Sequence, residues 1–209
     1  ATRALTVTGV GATTIGGVIA TTTGTLTKTG TGSLTLSGAN TYTGATTVST
    51  GTLRVDGSTA GGAVTVAAGA TLRGSGTIGG TVSVSGTLIP GGSPGLLVNG
   101  AVTFVSGSTF AIEIGGTAVG TGYDQDQVAS GAVTINAGVT LSLIDLSGFS
   151  PAVGQTYMIL NKTAAGAIGG TFSGLAQGAS IANFLGSSLH AQISYVGGDG
   201  NDVVLTVTP

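Results

Sequence analysis

Short apolar runs that return along the chain predict stacked β-strands. Within each run, apolar residues alternate with Thr or Ser, and a glycine turn then leads into a second run. Because successive side chains of a strand point to opposite faces, this alternation predicts strands with one apolar face. Four copies of the unit occupy residues 62–72, 80–88, 100–110 and 131–141, and they start 18, 20 and 31 positions apart. A repeat of about 20 residues, built from strands and turns, indicates a β-solenoid whose stacked coils share one core.

The same alternation predicts which side chains face the core. One apolar residue from each run of each copy should point inward and should occupy the equivalent position on successive coils. These residues are Val64, Leu72, Val82, Leu88, Val102, Phe110, Val133 and Leu141. Residues 115–127 interrupt the repeat and explain its longest spacing. We expect this insertion to form a loop on one face of the stack.

Strand runs also precede the four copies. Residues 5–38 hold short runs separated by glycine, and their apolar residues should face inward with Thr or Lys outward. In Leu26-Thr27-Lys28, this interpretation places Lys28 on the outer face. Residues 86–95 contain two prolines among glycines and should form a turn or a longer loop between coils.

The pattern loosens after Leu141. The later strand runs are residues 156–160, 170–175, 189–196 and 202–208. Residues 179–188 are ambiguous and are compatible with a helical turn. We therefore predict an all-β chain in two parts, with β-solenoid coils over residues 1–148 and a terminal β-region over 149–209 that closes the stack.

Composition excludes several classes of protein. Of the 209 residues, 41 are glycine, 41% are hydrophobic and 6% are charged, with a net charge of −2. A chain this apolar is not expected to be disordered, and the lack of a strict glycine at every third position excludes collagen. The five Lys and Arg residues are scattered, which argues against a nucleic-acid partner because phosphate contacts need clustered cations. No apolar run reaches the length of about 18 residues that a membrane span needs. The lack of cysteine removes disulfides and thiol chemistry.

One acidic segment fits a metal-binding motif. Residues 197–205, GGDGNDVVL, match the calcium-binding nonapeptide of β-helix repeats. Its oxygen ligands would come from Asp199, Asn201, Asp202 and turn carbonyls. Such ions lie between successive copies of the motif, whereas this chain has a single copy. We therefore predict a polar hairpin turn without a metal.

The other polar residues suggest little chemistry. Asp124 and Asp126, in YDQDQ, form a paired carboxylate of the kind used for acid–base catalysis or cation binding. No nucleophile, base or third ligand lies near them in the sequence, so we predict a solvated loop. His190 and Glu113 should be outward-facing strand residues, and Asp145 follows an apolar strand without a visible partner. We predict no catalytic, cofactor-binding or metal-binding residues and no enzymatic activity.

Residues 34–55, LTLSGANTYTGATTVSTGTLRV, form the most distinctive segment. Its regularly placed residues are Leu34, Leu36, Gly38, Asn40, Tyr42, Gly44, Thr46, Val48, Gly51, Leu53 and Val55. With this pattern the segment resembles the autotransporter-associated β-strand repeat, also called the passenger-associated transport repeat. We expect Asn40 to lie in a turn, where its side chain bonds to nearby backbone or to the next coil.

The resemblance extends over about residues 32–207, including the ending YVGGDGNDVVL. It implies a right-handed parallel β-helix that is exported to the bacterial surface or secreted. Because no translocator barrel follows Pro209, we expect a fragment, a processed passenger or a different export route. No basic segment followed by an apolar run opens the sequence, which is consistent with a signal peptide removed before residue 1.

Three functions are compatible with these features. The first is an extracellular structural protein of the bacterial cell surface that assembles into a fibre or surface layer. The second is an autotransporter passenger stalk or adhesin with a cell-surface or matrix ligand. A polysaccharide-active enzyme is weaker, because the charges are spread thinly. We expect copies of the chain to associate end to end, since residues 1–17 and 202–209 lack the charges or covering helix that normally protect strand edges.

Overall fold

Twenty-two short strands and one 3₁₀ turn account for the regular structure of residues 2–146 and 148–209, the part of the chain that the computed structural model describes. Val, Ile and Thr are frequent in the strands because they suit a pleated surface, and glycine turns separate the runs. In chain order the strands are β1 (Leu5–Val7), β2 (Ala12–Ile15), β3 (Leu26–Lys28), β4 (Ser33–Leu36), β5 (Thr46–Val48), β6 (Thr52–Val55), β7 (Ser58–Thr59), β8 (Val64–Val66), β9 (Thr71–Gly74), β10 (Thr77–Ile78), β11 (Val82–Val84), β12 (Thr87–Pro90), β13 (Leu96–Asn99), β14 (Val102–Phe104), β15 (Thr109–Ile114), β16 (Gln125–Val128), β17 (Val133–Ile135), β18 (Thr140–Asp145), β19 (Thr156–Lys162), β20 (Ser180–Ile181), β21 (His190–Gly197) and β22 (Asp202–Thr208). The 3₁₀ turn, Phe184–Gly186, lies between β20 and β21. Among the described residues, no helix is long and apolar enough to cross a membrane.

The strands build a stack of seven coils with three sheets. Sheet A has the strand order β1-β3-β5-β8-β11-β14-β17, and sheet B has the order β2-β4-β6-β9-β12-β15-β18. All neighbours in these two sheets pair in parallel, because each coil repeats the path of the coil before it. Sheet C is parallel from β7 through β10, β13 and β16 to β19, and then continues with β22, β21 and β20 in antiparallel pairing. The chain is therefore an all-β parallel β-helix, as predicted.

The four sequence copies occupy equivalent positions on successive coils. In sheet A, Val64, Val82, Val102 and Val133 stand in register. In sheet B, the register joins Leu72, Leu88, Phe110 and Leu141. Seven of these eight side chains are buried, and Leu141 in the last coil is partly buried. The predicted inward set is thus confirmed.

Lys28 does not lie on the outer face, so that prediction is wrong. Its side chain is 1% exposed and shares the inward face of β3 with Leu26. In register it stands beside Val48, which places it in a core column. The ammonium nitrogen donates to three backbone carbonyls, those of Gly30 at 2.7 Å, Thr29 at 2.9 Å and Thr50 at 3.4 Å. The carbonyls compensate the charge, and the strand alternation decides the direction of the side chain.

Two predictions about local structure need correction. Residues 86–95 are not entirely turn and loop, because Thr87–Pro90 forms β12 within sheet B. Residues 170–175 are not a strand. They cross the end of the core, and the side chain of Phe172 is buried there. The segment left ambiguous, 179–188, contains β20 and the 3₁₀ turn, so the helical turn that the sequence allowed there is present.

The last strand is not an exposed edge. β22 lies between β19 and β21 and pairs antiparallel with both, so the predicted bare edge at residues 202–209 is wrong. At the same end, Gly169 exchanges backbone hydrogen bonds with Val133 and Ile135 of β17, at 2.9 and 2.6 Å. β1 and β2 are the outermost strands at the opposite end of sheets A and B. The predicted division after residue 148 stays a prediction.

An aromatic cluster fills the end of the core beneath these strands. The ring of Phe172 stacks on Phe110 at a centroid distance of 5.9 Å and meets the edge of Phe104 at 6.4 Å. Tyr195 packs against the same ring at 6.0 Å, and its hydroxyl accepts a hydrogen bond from the Phe172 backbone N–H at 2.9 Å. The terminal region therefore covers the apolar core of the last coils.

Candidate functional site

Asp124 lies where the insertion rejoins the stack, directly before β16. It is fully buried, so the predicted solvated loop is wrong at this residue. Its Oδ1 accepts a hydrogen bond from the Gly95 backbone N–H at 2.8 Å, and its Oδ2 accepts one from the Glu113 N–H at 2.9 Å. Asp124 thus ties the base of the inserted loop to two other segments of the stack.

Asp126 is buried as well, inside the solenoid. In register it stands between Leu97 and Leu160, and it shares the inward face of β16 with Val128. Its Oδ1 accepts a hydrogen bond from the side-chain amide of Asn99 at 2.5 Å, whereas its Oδ2 has no protein partner. The predicted solvated loop is therefore wrong at Asp126 as well, because this residue is a polar side chain in an apolar column.

Burial shifts the titration of both carboxyls in the same direction. Loss of water raises the pKa of Asp124 to about 7, and the nearby Glu113 adds to the rise, although the two backbone N–H groups and Arg73 act against it. Burial likewise raises the pKa of Asp126 to about 7 against the opposing hydrogen bond from Asn99. A shifted pKa is common at catalytic sites, but catalysis also needs access for a substrate.

The geometry gives these carboxyls no such access. Both are completely buried, and neither lines the surface hollow of about 550 Å³ beside the inserted loop. That hollow is lined by Val119, Tyr123, Gln125, Thr156, Met158, Asn161, Gly198 and Val204. Asp124 and Asp126 are therefore placed to hold segments of the stack together.

Glu113 alternates with buried Ile112 and Ile114 on β15 and points away from the core, as predicted. It is not fully solvated, because its side chain is only 13% exposed. Its Oε2 lies 3.9 Å from a guanidinium nitrogen of Arg73 and makes no hydrogen bond. At this distance the pair is a loose ion pair on the outer face of sheet B.

The GGDGNDVVL segment forms a hairpin turn between β21 and β22, as predicted. Both carboxylate oxygens of Asp202 are engaged within the protein, whereas the buried Oδ1 of Asn201 has no hydrogen-bond partner among the described residues. Asp202 accepts hydrogen bonds from the backbone N–H groups of Lys162 at 2.7 Å and Asp199 at 3.3 Å. The side-chain amide of Asn201 donates to the Ala164 carbonyl at 2.8 Å. These bonds attach the hairpin turn to β19 and to the residues that follow it.

The remaining candidates lie apart from one another. His190 begins β21, is half-buried, and its Nδ1 is 3.4 Å from the hydroxyl of Ser180. Asp145 ends β18 and does have a partner, since it accepts a hydrogen bond from the Phe149 N–H at 2.9 Å. Within residues 2–146 and 148–209, no three His, Asp or Glu side chains are grouped so that they could hold a metal ion.

Asn40 joins three coils through one buried side chain. Its Oδ1 accepts a hydrogen bond from the Ile19 N–H at 2.9 Å, in the coil before. Its amide donates to the carbonyls of Gly38 and Ser58, both at 3.0 Å, and Ser58 belongs to the coil after. Nearby, the buried Tyr42 hydroxyl is 2.8 Å from the hydroxyl of Thr46. The predicted bonding of the Asn40 side chain to nearby backbone and to the next coil is thus confirmed, and it extends to the coil before.

The segment that contains this side-chain bridge also matches a family model. Residues 26–55 match the passenger-associated-transport-repeat. The chain contains a passenger-associated transport repeat. A search of curated proteins finds no match. Passenger-associated transport repeats occur in the passenger domains of autotransporters, which are surface-exposed or secreted.

The passenger-associated transport repeat runs from β3 to the end of β6 and therefore covers the A and B strands of two successive coils. Its Leu34, Leu36, Leu53 and Val55 are fully buried. Sequence reasoning missed Asn99, which bonds to Asp126 from the neighbouring coil. The available signal was the strand alternation, because Asn99 stands two residues after the buried Leu97.

Proposed function

We propose that this chain is a structural β-solenoid of the bacterial cell surface and that it acts as a passenger stalk. The supporting observation is the single apolar core, whose in-register columns continue through the seven coils. In a solenoid each coil contacts mainly its neighbours, so added coils extend the molecule along one axis and hold a fixed spacing. The passenger-associated transport repeat supports a location outside the cell.

The buried polar groups favour this structural role over catalysis. The carboxyls of Asp124 and Asp126 are directed at backbone N–H groups and at Asn99, and both are inaccessible to a substrate. We therefore expect the purified chain to show no turnover of polysaccharides, esters or peptides. Turnover that is lost in Asp124→Asn while the fold is retained would contradict the proposal.

A fibre is the second candidate function, and the free edge of β1 supports it. Leu5 donates its N–H to Thr25 and Val7 accepts from the Thr29 N–H, so both direct their backbone groups toward β3. The alternation of backbone groups along a strand leaves the Thr6 N–H at the open edge, where a strand from another copy can pair. The covered C-terminal end weighs against head-to-tail growth, which is why we favour the stalk.

The oligomeric state distinguishes the stalk from the fibre. Multi-angle light scattering on the purified 209-residue chain, at micromolar concentration, should give a monomer. Thr6→Pro removes the edge N–H group, and the matched control Thr6→Ala keeps it. Filaments that disappear in Thr6→Pro and persist in Thr6→Ala would overturn the stalk in favour of the fibre. Antibody labelling of intact source cells tests the location, and antigen found only after lysis would contradict surface display.

A further inference from the structure

The outer face of sheet A carries one hydroxyl side chain on every strand. The central residues of the seven strands are in register along the stack, without a shift. They are Thr6, Thr27, Thr47, Thr65, Ser83, Thr103 and Thr134. We call this row the hydroxyl ladder. Because neighbouring strands lie about 4.8 Å apart, its seven rungs extend over about 29 Å.

The surroundings of the hydroxyl ladder are uniformly uncharged. The positions two residues before and two residues after each rung are all at least partly exposed, and they hold only Ala, Thr, Ser, Val or Asn. Every rung is also at least partly exposed. Within residues 2–146 and 148–209, none of the seven rung hydroxyls makes a hydrogen bond to another protein group. The hydroxyls are therefore available to an external ligand.

The outer face of sheet B provides an internal comparison. It carries a similar row, with Thr52, Thr71, Thr87 and Thr109 in register. Cross-strand Thr pairs stabilise a sheet wherever they occur, so the rows by themselves have a structural use. The two faces differ in charge, because two residues beyond Thr52 and Thr71 the sheet B face carries Arg54 and Arg73. Of these two faces, that of sheet A is the neutral one.

Such a row selects for a ligand that is itself repetitive. A single exposed hydroxyl gains little from a hydrogen bond, because water competes for it. A rigid ligand with a comparable repeat contacts many rungs at once. It loses translational and rotational entropy a single time for all of these contacts, so their small contributions add up. Threonine suits this use because its branched side chain has few conformations, so the hydroxyls and methyls are held in a fixed arrangement before binding.

The chemistry of the face narrows the class of repeating ligand. A charged mineral or nucleic acid would need clustered charges, which the face lacks. A crystalline polysaccharide would favour aromatic side chains for stacking. Eight of the nine aromatic residues, among them Tyr42 and Phe110, are buried in the core, and the ninth, Phe149, packs against it. An array of neutral hydroxyls and methyls fits a neutral lattice of hydrogen-bonding oxygens. We propose that the sheet A face binds the surface of ice crystals.

The test compares matched variants on the two faces. Thr47→Lys/Thr103→Lys places long charged side chains on the hydroxyl ladder, and Thr52→Lys/Thr109→Lys places them on sheet B in the same two coils. All four residues face outward, and circular dichroism and the melting temperature check that both variants fold. The native chain and the sheet B variant should slow ice recrystallisation and should enrich in a growing ice front. The sheet A variant should lose both properties.

Two results would overturn the proposal. The first is a native chain that affects ice no more than an equal concentration of an unrelated soluble protein, or two variants that lose activity equally. The second is a native chain without effect on ice that self-associates in solution, with only the sheet A variant monomeric. In that case the hydroxyl ladder is a contact between copies. The first result leaves the proposed passenger stalk untouched, whereas the second also counts against it, because a stalk should be monomeric.

Discussion

Lys28 and Asp126 are buried ionisable residues in apolar columns of this solenoid, and the protein accommodates them differently. Lys28 directs its ammonium at three backbone carbonyls, and burial lowers its pKa. Asp126 has one hydrogen bond, from Asn99, and one carboxyl oxygen without a partner. A neutral carboxyl is far less costly to bury than a carboxylate. Burial therefore raises the pKa of Asp126 to about 7, and the folded protein keeps this carboxyl protonated below that pH.

The free energy of unfolding should therefore fall as pH rises. The pKa of Asp126 increases from the ordinary 3.8 to about 7 on folding, so between these values the folded state holds a proton that the unfolded state releases. Stability decreases with pH across this window and is constant above it. At about 1.4 kcal/mol per pH unit, the loss over the whole window is on the order of 4 kcal/mol. Urea unfolding should give a lower free energy of unfolding at about pH 8 than at about pH 5.

A pair of variants assigns this effect to the residue. Asp126→Asn keeps the size and polarity of the side chain but does not titrate, so its decline in stability with pH should be smaller. A residual decline should remain, because the pKa of Asp124 is raised to about 7 as well. Asp199→Asn, at an exposed position in the hairpin turn, should behave like the native chain. An equal decline in the native chain and in Asp126→Asn would show that Asp126 is not the responsible group.

At the scale of the strand, alternation with a period of two controls the direction of nearly every side chain. It predicted the inward residues of the four copies, because apolar content and alternation agree there. It also applies where the residue type disagrees: Lys28 follows Leu26 by two positions, and Asp126 precedes Val128 by two, so each faces the core. The sequence prediction failed at these residues because it let charge override position.

Loop ends were less predictable than strands. The length of the insertion at residues 115–127 does not determine where the chain re-enters a sheet, so the partners of Asp124 were not accessible from sequence. For the same reason, Asn99 was not recognised as a partner of Asp126. Contacts between coils depend on register, and register is set by the summed packing of all coils.

The strand alternation makes a direct prediction for adjacent residues of β14. Val102 is fully buried in register between Val82 and Val133, so Val102→Asp places an unpaired charge in the core. Its unfolding free energy in urea should drop by about 4 kcal/mol or more. Thr103 faces outward, and Thr103→Asp should change it by less than about 1 kcal/mol. Similar losses in the two variants would contradict the assigned faces.

At the scale of the whole molecule, the two ends of the stack differ. The outermost strands β1 and β2 leave their sheets open, whereas at the other end Gly169, the aromatic cluster and the antiparallel strands cover the last coils. The sequence predicted a terminal region that closes the stack, but it also treated the last strand as a bare edge, because a strand pattern such as DVVLTVTP does not reveal whether its neighbours lie on one side or on both. Long-range antiparallel pairing decides this, and it connects β22 to β19 across about 40 residues of chain.

A solenoid with unequal ends should also open unequally. Because each coil interacts mainly with its neighbours, damage at one end need not reach the other. Phe172→Ala removes the ring that stacks on Phe110 and leaves a cavity at the covered end. Amide hydrogen exchange should accelerate in β17, β18 and β19–β22, and should remain unchanged in β4–β9. The reciprocal variant Leu36→Ala, at a fully buried position in β4, should accelerate exchange in β2–β9 and spare the covered end. If either variant accelerates exchange to the same degree throughout the chain, the molecule unfolds as one cooperative unit, and the description of independent coils does not apply to it.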